Sequence, residues 1–250
     1  MRAIILAAGT GMRLGGGHLP KCLLQFGGKS LLERHLHILE SAGIRRVVIG
    51  VGYMAEMIRA EIRRCECRMQ IETVFNPDYR QGNIVTLWRL REELDSGENL
   101  LLMDADVLYD HRIMHRLVHS PIPDCFLMDR NFEQGDEPVK LCLRDRRIVA
   151  FGKHVDPAPA WDTQGESVGF FKLSAGMASR LRTTAESFVA AGRLEAFYEE
   201  ALRVLALEGE GKAFGVEDVT GLPWIEIDFP EDIEKANRDV LSALDALQAA

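Results

Sequence analysis

Apolar residues recur along this chain with two periods, and the two alternate. Ile4-Ile5-Leu6-Ala7 is a short continuous run, the pattern of a core strand over Met1–Ala7. Leu32, Leu36 and Leu39 fall three and four apart, which predicts a helix over Ser30–Ala42 with Ser30 and Glu33 as its start box and Gly43 as its stop. Strand Arg46–Val51, helix Met54–Arg64 and strand Gln70–Phe75 follow, and Asn76-Pro77 closes the last. A helix over Asn83–Glu93, with Asn83 suited to cap it, leads through Ser96-Gly97 into strand Asn99–Met103. Such alternation predicts a parallel sheet with helices on both faces. Ligands of such sheets lie beyond the carboxyl ends of the strands. Asp104-Ala105-Asp106 sits at that edge, and extended backbone would place both carboxylates on one side.

After about Ser120 the rhythm shortens. Strands over Cys125–Met128, Val139–Leu143 and Ile148–Phe151 read as an antiparallel insertion, followed by a loop from Pro157 through Glu166. Strand Ser167–Leu173, two helical stretches within Ala175–Leu207 and strand Trp224–Ile227 complete the series. A closing helix opens with Pro230-Glu231-Asp232 and carries Ile233, Val240, Leu244 and Leu247 on its apolar face. The expected fold is therefore α/β: a Rossmann-like, mostly parallel twisted sheet flanked by helices, with a small antiparallel insertion. One domain is expected, divided into 1–119, 120–223 and 224–250.

The first strand runs directly into Ala8-Gly9-Thr10-Gly11-Met12-Arg13-Leu14, with Pro20-Lys21 beyond. Glycines allow a tight turn whose N–H groups converge on one anion, and arginine and lysine add charge. This is a polyphosphate cradle. Leu14 stands where a dinucleotide fingerprint needs its third glycine, and strand Arg46–Val51 ends without a carboxylate. Gly28-Lys29-Ser30 imitates the tail of a Walker loop, but Leu23 occupies its first glycine position. Kinase patterns and a G-x-S-x-G elbow are absent. Gly15-Gly16-Gly17 loosen the stretch between Arg13 and Lys21, as a lid would need.

With 250 residues, 47% hydrophobic and 27% charged, the chain suits one soluble α/β domain. A net charge of −8 disfavours nucleic acid while leaving room for a nucleotide held by a few local cations. No apolar run approaches the ~20 residues of a membrane span, and the apolar start lacks a small-residue cleavage site. Five cysteines form no C-x-x-C pair, which suits reduced thiols in the cytoplasm. His111, His115 and His119 recur every fourth residue, but Ile113, Met114, Leu117 and Val118 form the expected buried face, leaving the histidines to solvent. Cys65 and Cys67 have the wrong spacing for zinc. Trp88 falls in an apolar stripe.

The run L-A-A-G-x-G-x-R-L followed by P-K, at Leu6–Leu14 and Pro20-Lys21, resembles that of the nucleotidyltransferases that join a nucleoside monophosphate to a sugar or alcohol phosphate. Their closing pattern, W-x-D/E-I-D-x-P-E-D, is matched by Trp224–Asp232. The resemblance implies Mg²⁺ held by Asp106 and Asp228, with Asp104 and Glu226 as alternate or outer ligands. It implies that Arg13 neutralises the β- and γ-phosphates and that Lys21 holds the α-phosphate and the approaching acceptor. Leu6, Ala7, Ala8, Gly9, Thr10, Gly11, Asn83 and Asp104 would contact the nucleotide. Each acid also has a plainer use: Asp104 in a turn, Asp228 at the start of a helix.

Later segments, Asn76-Pro77-Asp78-Tyr79, Phe151-Gly152-Lys153 and Gly165–Phe170, resemble those of cytidylyltransferases for small phospho-alcohols and phosphonates. That implies CTP and an acceptor of the phosphocholine or 2-aminoethylphosphonate type. Lys153 would take its phosphate, and Asp162, Glu166, Glu226 and Trp224 its other end, with Trp161 and Phe170 as further aromatic faces. Inositol-1-phosphate or hexose-1-phosphate acceptors keep every triphosphate and metal residue and remain open. So does a non-catalytic nucleotide-binding regulator on the same fold. Neither nucleic acid nor membrane is expected as a partner, and a homodimer is allowed.

Overall fold

A computed structural model describes residues 1–15, 19–156, 158 and 160–248. Gly16 and Gly17 of the expected lid, Pro157 and Pro159 of the expected loop, and the side chain of Leu247 lie outside the described residues. The strands are β1 Arg2–Ala7, β2 Gln25–Phe26, β3 Lys29–Ser30, β4 Arg46–Val51, β5 Gln70–Phe75, β6 Leu100–Asp104 and β7 Val107–Tyr109. They continue with β8 Cys125–Asp129, β9 Lys140–Arg144, β10 Arg147–Gly152, β11 Thr163–Leu173, β12 Gly215–Asp218 and β13 Trp224–Glu226. The helices are α1 Leu31–Ser41, α2 Ala55–Arg64, α3 Asn83–Arg89, α4 Arg91–Leu94, α5 His111–His119, α6 Ala175–Ala190, α7 Tyr198–Leu207, α8 Pro230–Lys235 and α9 Ser242–Gln248.

The main sheet runs in the order β10-β9-β11-β6-β1-β4-β5, with β8 and β12 branching from β11. The β6-β1-β4-β5 half is parallel. Strand β11 pairs antiparallel with β6, β8 and β9. The antiparallel strands thus extend the parallel sheet instead of standing apart from it. The chain leaves β1 towards β4 on one side and returns to β6 on the other, so the topological switch lies between β1 and β6.

Apolar side chains fill both faces of this sheet. One cluster packs α1, α2 and α5 through Leu32, Leu36, Ile58, Ile113 and Leu117. The other packs α3, α6 and α7 through Ile84, Leu87, Leu181, Tyr198 and Leu202. A third, smaller cluster ties Leu14 and Phe26 to Ile227, Ala236, Val240 and Leu244 of the C-terminal segment.

Several expected elements change at their edges. The helix expected over Asn83–Glu93 divides at Leu90 into α3 and α4. Its cap is Gly82, because the Asn83 carboxamide turns away and its Oδ1 accepts from Tyr198 N at 2.6 Å. The polar run expected as loop up to Glu166 joins β11 from Thr163, because ladder pairing with β9 satisfies its backbone. Segments α8 and α9 join through a wider, π-type turn at Ala236–Leu241. Ser30 caps α1, accepting from Glu33 N at 3.0 Å, and His115 stacks between His111 and His119.

His35 of α1 is fully buried between Tyr109 and Phe170, its Nδ1 3.4 Å from the Tyr109 hydroxyl. Burial pushes its pKa down to about 4, from the ordinary 6.5. Between those values the unfolded chain binds a proton that the folded chain refuses, so stability is full above pH 6.5 and falls as pH drops towards 4. Relative to His35→Leu, the wild type is expected to lose about 2 kcal/mol more between pH 7.5 and pH 5. Urea unfolding of both proteins at the two pH values checks this; equal losses would refute it.

Candidate active site

The carboxyl ends of β1 and β6 open into a cavity of about 620 Å³. One wall is the turn after β1: Leu6, Ala7, Ala8, Gly9, Gly11, Met12 and Arg13. Gly11 takes a left-handed conformation (φ 62°), and a Cβ there would sit 3.2 Å from Lys21 Cγ. The turn's glycine therefore gives the lysine side chain its path into the cavity.

Asp106 follows β6, and Asp228 follows β13. What brings them together is the small antiparallel pair β7–β13, in which Val107 faces Glu226. The bond from Ile227 N to Asp106 O, 2.9 Å, fastens the two segments beside the acids. Carboxylate oxygens of Asp106, Glu226 and Asp228 lie within 4.8 Å of one another. Asp232 is a helix-start residue, its Oδ2 accepting from Asp228 N at 2.9 Å and Phe229 N at 2.7 Å. That fixes the backbone under Asp228.

Lys21 Nζ donates to Asp106 Oδ2 at 2.9 Å and Asp228 Oδ1 at 2.6 Å. Burial works to lower its pKa, but the two carboxylates outweigh it and hold the pKa above the ordinary lysine value. Burial likewise opposes ionisation of Asp228, yet Lys21 and Arg13 keep it below the usual carboxylate range. At Glu226 burial, Asp106 and Asp228 outweigh Lys21 and push the pKa well up. Arg13 Nη1 reaches Asp228 at 3.2 Å and Glu137 at 3.1 Å, and Lys153 Nζ meets the same Glu137 at 2.7 Å. One carboxylate therefore gathers the two cations at the mouth of the cavity.

Three hard oxygen donors in one cluster suit a magnesium-sized cation, which takes carboxylates together with substrate oxygens. Asp104 is not among them. Tyr198 Oη donates to its Oδ2 at 2.7 Å, and burial, then Glu199, raise its pKa well above the usual range. Gly169, left-handed at φ 79°, gives that carboxylate its space: a Cβ would meet Asp104 Oδ2 at 2.4 Å.

Asn83, Asp104, Lys153 and Glu226 also line the cavity. Thr10, Asp162, Glu166 and Trp224 lie off its wall. Asp162 is spent on an outer turn, accepting from Asp145 N at 2.8 Å and Thr163 Oγ1 at 2.9 Å. Trp224 Nε1 donates to Asp129 Oδ2 at 2.8 Å. Glu166 is registered opposite Asp129, and burial with that acid pushes its pKa up to about 7. Of the further aromatic candidates, Phe170 is fully buried beneath the sheet. Glu199, Glu200 and Arg203 of α7 line the cavity without having been singled out in the sequence. An ordinary amphipathic helix start hides them, and the docking rests on bonds such as Tyr198 N to Asn83 Oδ1 and Tyr198 Oη to Asp104 Oδ2.

A switch-point cavity with a glycine turn, two cations and an acid cluster places the fold in the nucleotidyltransferase class. The model of the MobA-like NTP transferase domain matches residues 3–155, and the chain belongs to that family. It is 28% identical over 243 residues, 95% of this chain, to CMP-5′-(3-aminopropyl)phosphonate synthase of Streptomyces rubellomurinus, of whose length it spans 38%. It is 24% identical to CTP:phosphoglutamine cytidylyltransferase of Campylobacter jejuni, over 94% of this chain and 98% of that protein. The fold is that of the inositol-1-phosphate CTP transferase from T. maritima, at a TM-score of 0.78 and 21% identity, covering 98% of this chain and 96% of that one. Among the described residues, no helix is long and apolar enough to cross a membrane.

Proposed function

We propose that this protein is a Mg²⁺-dependent cytidylyltransferase that transfers CMP from CTP to a small phospho-alcohol or phosphonate, of the phosphocholine or 2-aminoethylphosphonate type, and releases pyrophosphate. The observation that carries the reading is the meeting of Lys21 and Arg13 with Asp106, Glu226 and Asp228 at one end of the cavity. The names of the Streptomyces and Campylobacter relatives support the cytidylyl and phosphonate parts.

In this reading an acceptor oxygen attacks the α-phosphorus. The new P–O bond forms as the bond to the β-phosphate bridge breaks, and pyrophosphate leaves with the electron pair. The acceptor is already anionic, so no general base is needed, and catalysis is positioning and charge neutralisation. Lys21 holds the α-phosphate beside the acceptor oxygen; Arg13 exchanges Glu137 for the β- and γ-phosphates. Magnesium, held by Asp106, Asp228 and Glu226, would supply Lewis-acid polarisation of the α-phosphate. The turn Leu6–Gly11 and Asn83 hold the nucleoside, and Lys153 takes the acceptor phosphate. The three stretches 1–119, 120–223 and 224–250 then divide the work into nucleotide, acceptor and metal closure. Five free thiols suit a reducing, cytoplasmic setting.

Pyrophosphate release with Mg²⁺ tests the reading, crossing CTP, UTP, GTP and ATP against phosphocholine, 2-aminoethylphosphonate, inositol-1-phosphate and glucose-1-phosphate. Turnover confined to CTP with an amine-bearing acceptor is expected. Turnover with inositol- or glucose-1-phosphate would keep the chemistry and replace the acceptor. Binding of CTP without turnover on any acceptor would make the protein a nucleotide-binding regulator.

A further inference from the structure

One end of the cavity is acidic in a way that triphosphate chemistry does not use. Glu199 stands on the first turn of α7 and faces the cavity. Its Oε2 is withdrawn from solvent and has no hydrogen-bond partner among the described residues. A buried carboxylate oxygen without a donor is costly unless a ligand supplies one. Asp104, held by Tyr198, faces the same space. Lys153 and Arg203 line the same cavity and supply positive charge. One unpartnered carboxylate oxygen, a second acid beside it and two cations in one cavity complement a small zwitterion with an ammonium at one end and an anion at the other.

Resting on the cytidylyltransferase reading, we propose that the acceptor carries a primary ammonium group and that Glu199, beside Asp104, is the specificity-determining acid that accepts its N–H bonds. A primary ammonium has the donors that Glu199 Oε2 needs, whereas a trimethylammonium has none. A quaternary cation is held by aromatic faces instead. Here the aromatic lining is Phe151, Phe171 and Phe197, and no tyrosine or tryptophan lines the cavity among the described residues. Phe151 and Phe171 are fully buried and pack edge-on against Phe126.

Calorimetric titration of the full chain, with CMP present, tests this. The ligands are 2-aminoethyl- and 3-aminopropylphosphonate, their amine-free analogues ethyl- and propylphosphonate, and phosphocholine. The amines are expected to bind at least about tenfold tighter than the amine-free analogues and phosphocholine. Glu199→Gln should remove that preference while leaving ethylphosphonate and CTP affinity within about twofold. The variant keeps the side chain's shape and takes one charge from a crowded acidic group, so its Tm should equal or exceed that of the wild type. Equal binding of amine and amine-free ligands, or phosphocholine binding as tightly as the amines, would overturn the inference. A loss of CTP affinity in the variant would do so too, by assigning the acid to the cytosine amine. Pyrophosphate release is read separately: selective amine binding without transfer leaves this inference standing and removes the transferase reading.

Discussion

Lys21→Ala is expected to lower kcat for pyrophosphate release by about 10²–10³-fold. Lys21 is the only cation hydrogen-bonded to both Asp106 and Asp228 among the described residues, and in the proposed reaction it stands beside the α-phosphate. In the transition state the transferring phosphate spreads charge over its oxygens, so the lysine contributes more there than in the bound substrate. The loss should therefore fall on kcat, with the Kd for CTP moving much less. Removing the ammonium also takes away the largest of the charges that hold the Asp228 pKa down, leaving Arg13 and Lys153. The acid limb of the pH–rate profile should then move to higher pH, because Asp228 must lose its proton without Lys21. Steady-state and single-turnover rates across pH 5–9 check both parts. A rise in KM with kcat unchanged would reduce Lys21 to a ground-state contact.

Asp228→Asn carries the second large effect, a fall in turnover of about 10³-fold or more, with loss of the dependence on added Mg²⁺. Asp228 serves two groups at once: the acid cluster with Asp106 and Glu226, and the cation pair Lys21 and Arg13. Asparagine keeps the shape and can still accept from Lys21, but it removes one of three anionic donors. Weaker Mn²⁺ binding, followed by electron paramagnetic resonance, separates loss of metal from loss of fold. The fold should hold, since Asp232, not Asp228, caps the following helix. Retention of activity within tenfold would remove Asp228 from the metal site.

Much of this site was legible because its parts are local in the chain. The turn Ala8–Leu14 and Lys21 suggest anion binding by residue type alone, and Asp106 and Asp228 each follow a recognisable strand by two residues. Other parts are set by tertiary contacts that leave no local mark. Glu199 reaches the cavity because α7 docks through Tyr198 N on Asn83, 115 residues earlier than Tyr198. Trp224 and Asp162 are acceptor candidates by residue type, as an aromatic face and a carboxylate suited to an amine. Their hydrogen bonds to Asp129 and around Thr163 are decided by strand pairing that sequence spacing does not display. The same holds for β11, whose polar first turn reads as loop until β9 lies beside it.

The clasp between Asp106 O and Ile227 N makes the acid cluster a meeting of distant chain segments, not a property of the main sheet. Its C-terminal half is held through the small cluster of Leu14, Phe26, Ile227, Ala236, Val240 and Leu244. Local opening of so small a unit costs less than global unfolding. Such an opening would strip away Asp228 and Glu226, with the parallel strands intact. The fraction of molecules competent for catalysis is thus governed by the docking free energy of this C-terminal segment. Heating or mild denaturant should silence the protein before its main sheet melts.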